Sequence, residues 1–192
     1  ETAAGHWGQI RLLTNNGLTD VDARIAFSRS TGSSKIVFWT QEPVSRVKLI
    51  ERASPVDPWG SAEPVSTGPT SARLPAVAVA QGLVFIGYEQ DVVSGGKDIL
   101  LVTRAEAPGA GIQFNRQVVG HSDWAGSARV TVDVAGAGEV VYAAWIDSDV
   151  QIAYSIWDGG AWTIPRYLPY TGTLTLDELR IVARRQVLHL VK

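Results

Sequence analysis

The 192-residue chain has no cysteine and no methionine. Lack of cysteine excludes disulfides, cysteine-based zinc sites and thiol catalysis. It also suits a domain that works outside the cell, so an extracellular or cell-surface location is expected. No apolar run approaches the roughly 18–20 residues that span a bilayer, and no membrane span is expected. Excess positive charge is missing as well. Seventeen Lys and Arg against 19 Asp and Glu leave a net charge of −2, which argues against nucleic acid as a partner. His6, His121 and His189 are too scattered for a zinc site. Phosphate-binding glycine loops, nucleophile elbows and Ser/His/Asp contexts are absent. The first residues, ETAAGHW, lack both an initiator Met and the regions of a signal peptide. They read as the start of a processed chain or an excised fragment.

What is present is β-structure. Hydrophobic residues make up 45% and charged residues 19%, ordinary values for a globular domain. The segments are rich in β-branched and aromatic residues and show no 3.6-residue period. The stretch Ala128 to Leu168 reads as four short strands: ARVTVDV, EVVYAAW, VQIAYSI and AWTIPRYL. The turns between them are AGAG, IDSD and WDGG. A meander of four antiparallel strands over about 40 residues is the unit of a β-propeller blade.

The unit repeats. One blade spans about 21–67, a second 71–120 and a third 127–170. A partial blade covers 177–192, and an N-terminal strand at 6–14 (WGQIRLLT) resembles the last strand of a blade. Three landmarks recur. An arginine stands near the start of strand one at Arg24, Arg73, Arg129 and Arg180, at separations of 49, 56 and 51 residues. An aromatic closes strand two at Trp39, Tyr88 and Trp145, which lie 15, 15 and 16 residues after the arginine. Another opens strand four at Trp7, Trp59, Phe114 and Trp162, at separations of 52, 55 and 48 residues. Three coincident landmarks predict an all-β propeller of four-stranded antiparallel blades. Propellers usually close with about 4–8 blades. The pattern therefore predicts completion by further blades or by a second copy in a homo-oligomer, with a small ring of four as the alternative.

The segment YSIWDGGAW resembles the Asp-box of the sialidase-like, BNR-repeat propellers through Ser155, Asp158, Gly160 and Trp162. Its Ser-to-Asp spacing is one residue longer than the usual pattern. The Asp and Gly make a tight turn and the Trp packs beneath it, so the box marks fold and not catalysis. Ala72-Arg73-Leu74-Pro75 keeps the Arg, Leu and Pro of the arginine motif with which sialidases grip a carboxylate, and lacks its aromatic. The resemblance implies a propeller with arginines gathered near its axis. Sialidase chemistry also needs a Tyr nucleophile and its Glu. Tyr88 and Glu89 are adjacent, but adjacent strand residues face opposite ways.

The expected ligand-binding residues are Arg24, Arg73, Arg129, Trp39, Tyr88, Trp145 and Asp147. Guanidinium groups bind carboxylates bidentately and suit an anionic sugar, and aromatics beside carboxylates form a sugar platform. Salt bridges and core packing are the competing uses of the same residues. Asp147 and Asp149, with Asp91 and Asp98, offer oxygen ligands for Ca²⁺. No spacing resembles a dedicated calcium loop, so no cofactor is expected. Trp124, in the loop HSDWAG, has no counterpart in the repeat. The leading expectation is non-catalytic recognition of a glycan or a protein surface. A glycoside hydrolase domain and a ligand-free scaffold are the alternatives.

Overall fold

The computed structural model describes residues 12–15, 17–106, 113–123, 126–135, 140–148, 151–169, 179–184 and 187–191. Trp7, Trp124, Asp149 and most of the expected strand at 6–14 lie outside them, and no strand covers 12–15. Among the described residues there is no helix. The described residues form fourteen strands in three four-stranded antiparallel sheets and one two-stranded sheet. Sheet one contains β1 (Thr19–Phe27), β2 (Ser34–Gln41), β3 (Arg46–Arg52) and β4 (Glu63–Pro64). Sheet two contains β5 (Ala72–Ala80), β6 (Leu83–Asp91), β7 (Lys97–Ala105) and β8 (Asn115–Ser122). Sheet three contains β9 (Thr131–Ala135), β10 (Val140–Ser148), β11 (Gln151–Trp157) and β12 (Arg166–Pro169). The strands β13 (Arg180–Arg184) and β14 (Val187–Val191) pair alone. Each four-stranded sheet is a simple meander. The first strands β1, β5, β9 and β13 pack side by side in that order, so the sheets are blades of a β-propeller and these strands line its axis.

Strand four of the first blade is much shorter than WGSAEPVS and covers Glu63–Pro64 alone. Trp59 therefore lies in a loop, where its ring stacks beneath the Arg52 guanidinium at 4.9 Å. The hairpin β5–β6 turns on Gln81 and Gly82, with φ of 54° and 70°. A two-residue type I′ turn requires such positive values.

Packing between blades makes the core. Ile86, Val84 and Tyr88 of blade two meet Val37, Val47 and Leu49 of blade one. On its other face, Phe85 and Leu101 meet Val132, Ala143, Trp145, Trp157 and Trp162 of blade three. Phe85, Trp157 and Trp162 contact one another edge to face at 5.5–5.8 Å, the favoured aromatic arrangement. Blade two is covered on both faces, and its middle strands accordingly read as nearly continuous apolar runs. A buried polar cluster joins blades one and two. Glu106 accepts from Thr31 Oγ1 (2.5 Å) and Ser33 Oγ (2.6 Å), and Lys35 Nζ donates to Ser33 Oγ at 2.8 Å. Burial pushes the Glu106 carboxyl up, but hydrogen bonds from Ser28, Ser33 and Thr31 and the Lys35 charge outweigh it and hold the group below its usual range.

The innermost strands share an irregularity that no landmark anticipates. In β1 the register slips between Val21, opposite Trp39, and Arg24, opposite Val37. Asp22 and Ala23 thus oppose Phe38 alone. In β5 the slip falls between Arg73 and Ala76, so Leu74 and Pro75 oppose Tyr88. In blade three Ile146 N bonds to Ala128 O while Ala144 pairs with Thr131, which leaves Arg129 and Val130 opposite Trp145. Each is a β-bulge, and its first residue has a positive φ: 50° at Asp22, 53° at Leu74 and 48° at Arg129. The three arginines are consequently not equivalent. Arg73 precedes its bulge, Arg129 occupies it, and Arg24 follows it. Trp39 is likewise one position past the aromatic that faces the bulge, which in blade one is Phe38.

Gly87 of β6 has no room for a side chain. An added Cβ would lie 2.7 Å from Val130 Cγ1 and 2.9 Å from Val132 Cγ2. Gly87→Ala is expected to force blades two and three apart and to cost about 1–3 kcal/mol. Chemical denaturation measures this, and an unchanged midpoint would mean that the interface is looser than described.

Candidate functional site

The bulges open one end of the axis into a funnel of about 480 Å³. Its wall takes Asp22 and Arg24 from β1, Leu74 and Pro75 from β5, and Arg129 and Asp133 from the third blade. A larger cavity of about 990 Å³ adjoins it along the axis and shares Ile25, Val77 and Asp133. A bulge re-aims the side chains around it, and positive φ at a non-glycine residue persists only where its surroundings fix it. Here that fixing is visible. Trp39 Nε1 donates to Asp22 Oδ2 at 2.9 Å, and Arg129 N donates to Ser127 Oγ at 3.3 Å.

Of the seven expected residues, Arg24 and Arg129 line the funnel, and Trp39 touches it through Asp22. Arg73 does not line it; its guanidinium forms an ion pair with Asp91. Asp147 is half-buried, and its backbone carbonyl accepts from Ser122 Oγ at 2.7 Å. Tyr88 and Trp145 are each 0% exposed. As the aromatics that face the bulges, they pack between blades and present no ring face to a ligand. Burial pushes the Tyr88 hydroxyl above its usual range, with Arg116 opposing. Asp22 and Asp133 were missed by the sequence reading. Asp22 stands only two residues before Arg24, a spacing that puts both on one face of a regular strand.

Two carboxylates considered for Ca²⁺ have other partners. Asp91 pairs with Arg73, and Asp98 Oδ1 lies 2.9 Å from His121 Nδ1. Among the described residues no group of three or more His, Asp or Glu is placed to hold a metal ion. The turn in YSIWDGGAW is closed by its own side chains. Asp158 Oδ1 accepts from Gly160 N (3.0 Å) and Ala161 N (2.8 Å), Ser155 Oγ donates to Thr163 O (2.7 Å), and Trp162 is buried. Bonds from the Ala161 and Gly160 amides hold the Asp158 carboxyl below its usual range.

The connection leading into Arg129 is clamped from outside. Lys97 Nζ donates to Gly126 O at 2.6 Å. His121 lies between two carboxylates, with Nδ1 2.9 Å from Asp98 and Nε2 3.1 Å from Asp123. Only the imidazolium donates at both nitrogens, and the bonds to Asp98 and then Asp123 raise its pKa above 6.5. A raised histidine pKa contributes stability fully below the unfolded value of about 6.5 and loses it as pH rises through the folded value. The thermal midpoint of the wild type should therefore fall, relative to His121→Gln, as pH rises from about 6.5 through the folded value. Parallel midpoints across that window would contradict the clamp.

No family model matches the chain, and no curated protein sequence matches it. Among solved structures it is similar to Penicillium chrysogenum α-L-arabinanase complexed with arabinobiose. The likeness has a TM-score of 0.52 at 18% sequence identity and covers 88% of this chain. It covers 51% of the arabinanase, so the chain spans about half the length of that protein. At this identity the likeness shows the fold, a β-propeller.

Proposed function

We propose that the chain recognises a carbohydrate in the axial funnel, without catalysis, and that a neutral sugar suits it better than an anionic one. The carrying observation is the balance of charge on the wall. Arg24 and Arg129 supply guanidinium donors, while Asp22 and Asp133 supply carboxylate acceptors. Two cations against two anions give no net attraction for a polyanion. Donors and acceptors side by side match sugar hydroxyls, each of which does both. Trp39, half-buried beside Asp22, adds an apolar edge. The fold shared with an arabinanase solved with arabinobiose supports a sugar over a protein surface as the first guess.

The two wall carboxylates also favour a second reading, glycoside hydrolysis, in which paired acids flank the scissile bond. On that reading Asp22→Asn abolishes release of reducing sugar; on the first there is no release to abolish. The test is a glycan array with neutral and acidic oligosaccharides, including arabinobiose, followed by calorimetry. Binding of a neutral sugar, weakened about tenfold or more by Arg24→Ala or Arg129→Ala (about 1.4 kcal/mol), is the expected result. A blank array from folded protein would overturn the proposal, and binding of acidic sugars alone would overturn the neutral preference.

A further inference from the structure

We propose that Glu89 is a positioning residue for Arg129, setting from blade two the guanidinium that the funnel uses from blade three; this rests on the reading of the funnel as a sugar site. Glu89 closes the apolar run LVFIGYE of β6 and is 3% exposed. Burial of a carboxylate is costly unless its oxygens are bonded. A single oxygen, Oε2, accepts from Ala128 N at 2.7 Å and from Ser127 Oγ at 3.0 Å. Ser127 Oγ accepts in turn from Arg129 N at 3.3 Å. The carboxylate thus crosses the blade boundary and fixes the two residues before Arg129, directly and through one hydroxyl. Arg129 needs such fixing because its φ of 48° is unfavourable for a residue with a Cβ.

Packing alone does not account for an acid at this position. Trp39 holds the equivalent place in blade one and Ile146 in blade three, each one residue past the aromatic opposite the bulge. Both are uncharged. Among the described bulges, the carboxylate occurs in the blade that precedes the one occupied by an arginine. Arg73, although paired with Glu89 across the strands, sends its guanidinium to Asp91, which leaves Glu89 to the connection.

The arrangement predicts a local effect that can be read without knowing the sugar. Phenylglyoxal modifies accessible arginines, and peptide mass spectrometry follows Arg129 and Arg24 in the same molecule. In Glu89→Ala, Arg129 should react about threefold faster or more, while Arg24, on a different blade, keeps its rate. Glu89→Gln should restore the wild-type rate at Arg129, because both bonds fall on one oxygen that an amide carbonyl can replace. If Glu89→Ala does not fold, Ser127→Ala removes the relay alone and should speed Arg129 selectively by a smaller factor. Unchanged rates at both arginines, or equal acceleration of both, would overturn the positioning role. Failure of the wild type to bind any sugar would remove the carbohydrate reading and leave this result standing.

Discussion

Phe38, Tyr88 and Trp145 lie buried against the axis, each opposite two inner-strand residues where a regular ladder supplies one. The extra residue and the aromatic beneath it depend on each other. A regular inner strand would carry its alternation to the rim unchanged, and Asp22, Leu74 and Arg129 would turn to the other face of the blade. With the bulge, the strand rotates by one residue, its upper end flares, and the funnel opens. The strain of positive φ at three non-glycine residues is held in place by a packed interior beneath it.

That interior is asymmetric. Blade two is sealed on both faces, by aliphatic side chains toward blade one and by the Phe85, Trp157 and Trp162 cluster toward blade three. Glycines allow the close approach of neighbouring blades, Gly87 against Val130 and Val132 and Gly120 against the Trp145 ring. Rigid packing of this kind gives blade two the means to set geometry in its neighbour. Glu89 reaches Ser127 and Ala128 from one side, while Lys97 reaches Gly126 and His121 reaches Asp123 from the other. The chain entering the third bulge is tied down at several points, and the residue it delivers is Arg129.

The blades were legible because their signal is long and repeated. Alternating apolar residues, glycine-rich turns and recurrent aromatics specify a meander whatever the details of register. The site was only half legible. Arg24, Arg73 and Arg129 look alike in a repeat counted by sequence spacing, yet they stand after, before and within their bulges. A one-residue bulge changes the face of everything beyond it, and nothing common to Asp, Leu and Arg announces it. Trp39 aligned with Tyr88 and Trp145 for the same reason, although Phe38 is their counterpart. Asp133 sits in an ordinary alternating strand, ARVTVDV, where an outward-facing carboxylate and an axial one look identical. Glu89 did carry a signal, as the first charge after an apolar run, but its partners lie 38 and 39 residues away, across a blade boundary.

The central claim is that opposed charges on the funnel wall bind a sugar. Arginine side-chain Nε–Hε resonances, followed by NMR during titration with arabinobiose and related neutral oligosaccharides, test it most directly. The account predicts saturable shifts at Arg24 and Arg129, with Arg73, paired to Asp91 outside the funnel, left unmoved. Shifts confined to arginines away from the axis, or none at millimolar sugar, would contradict it.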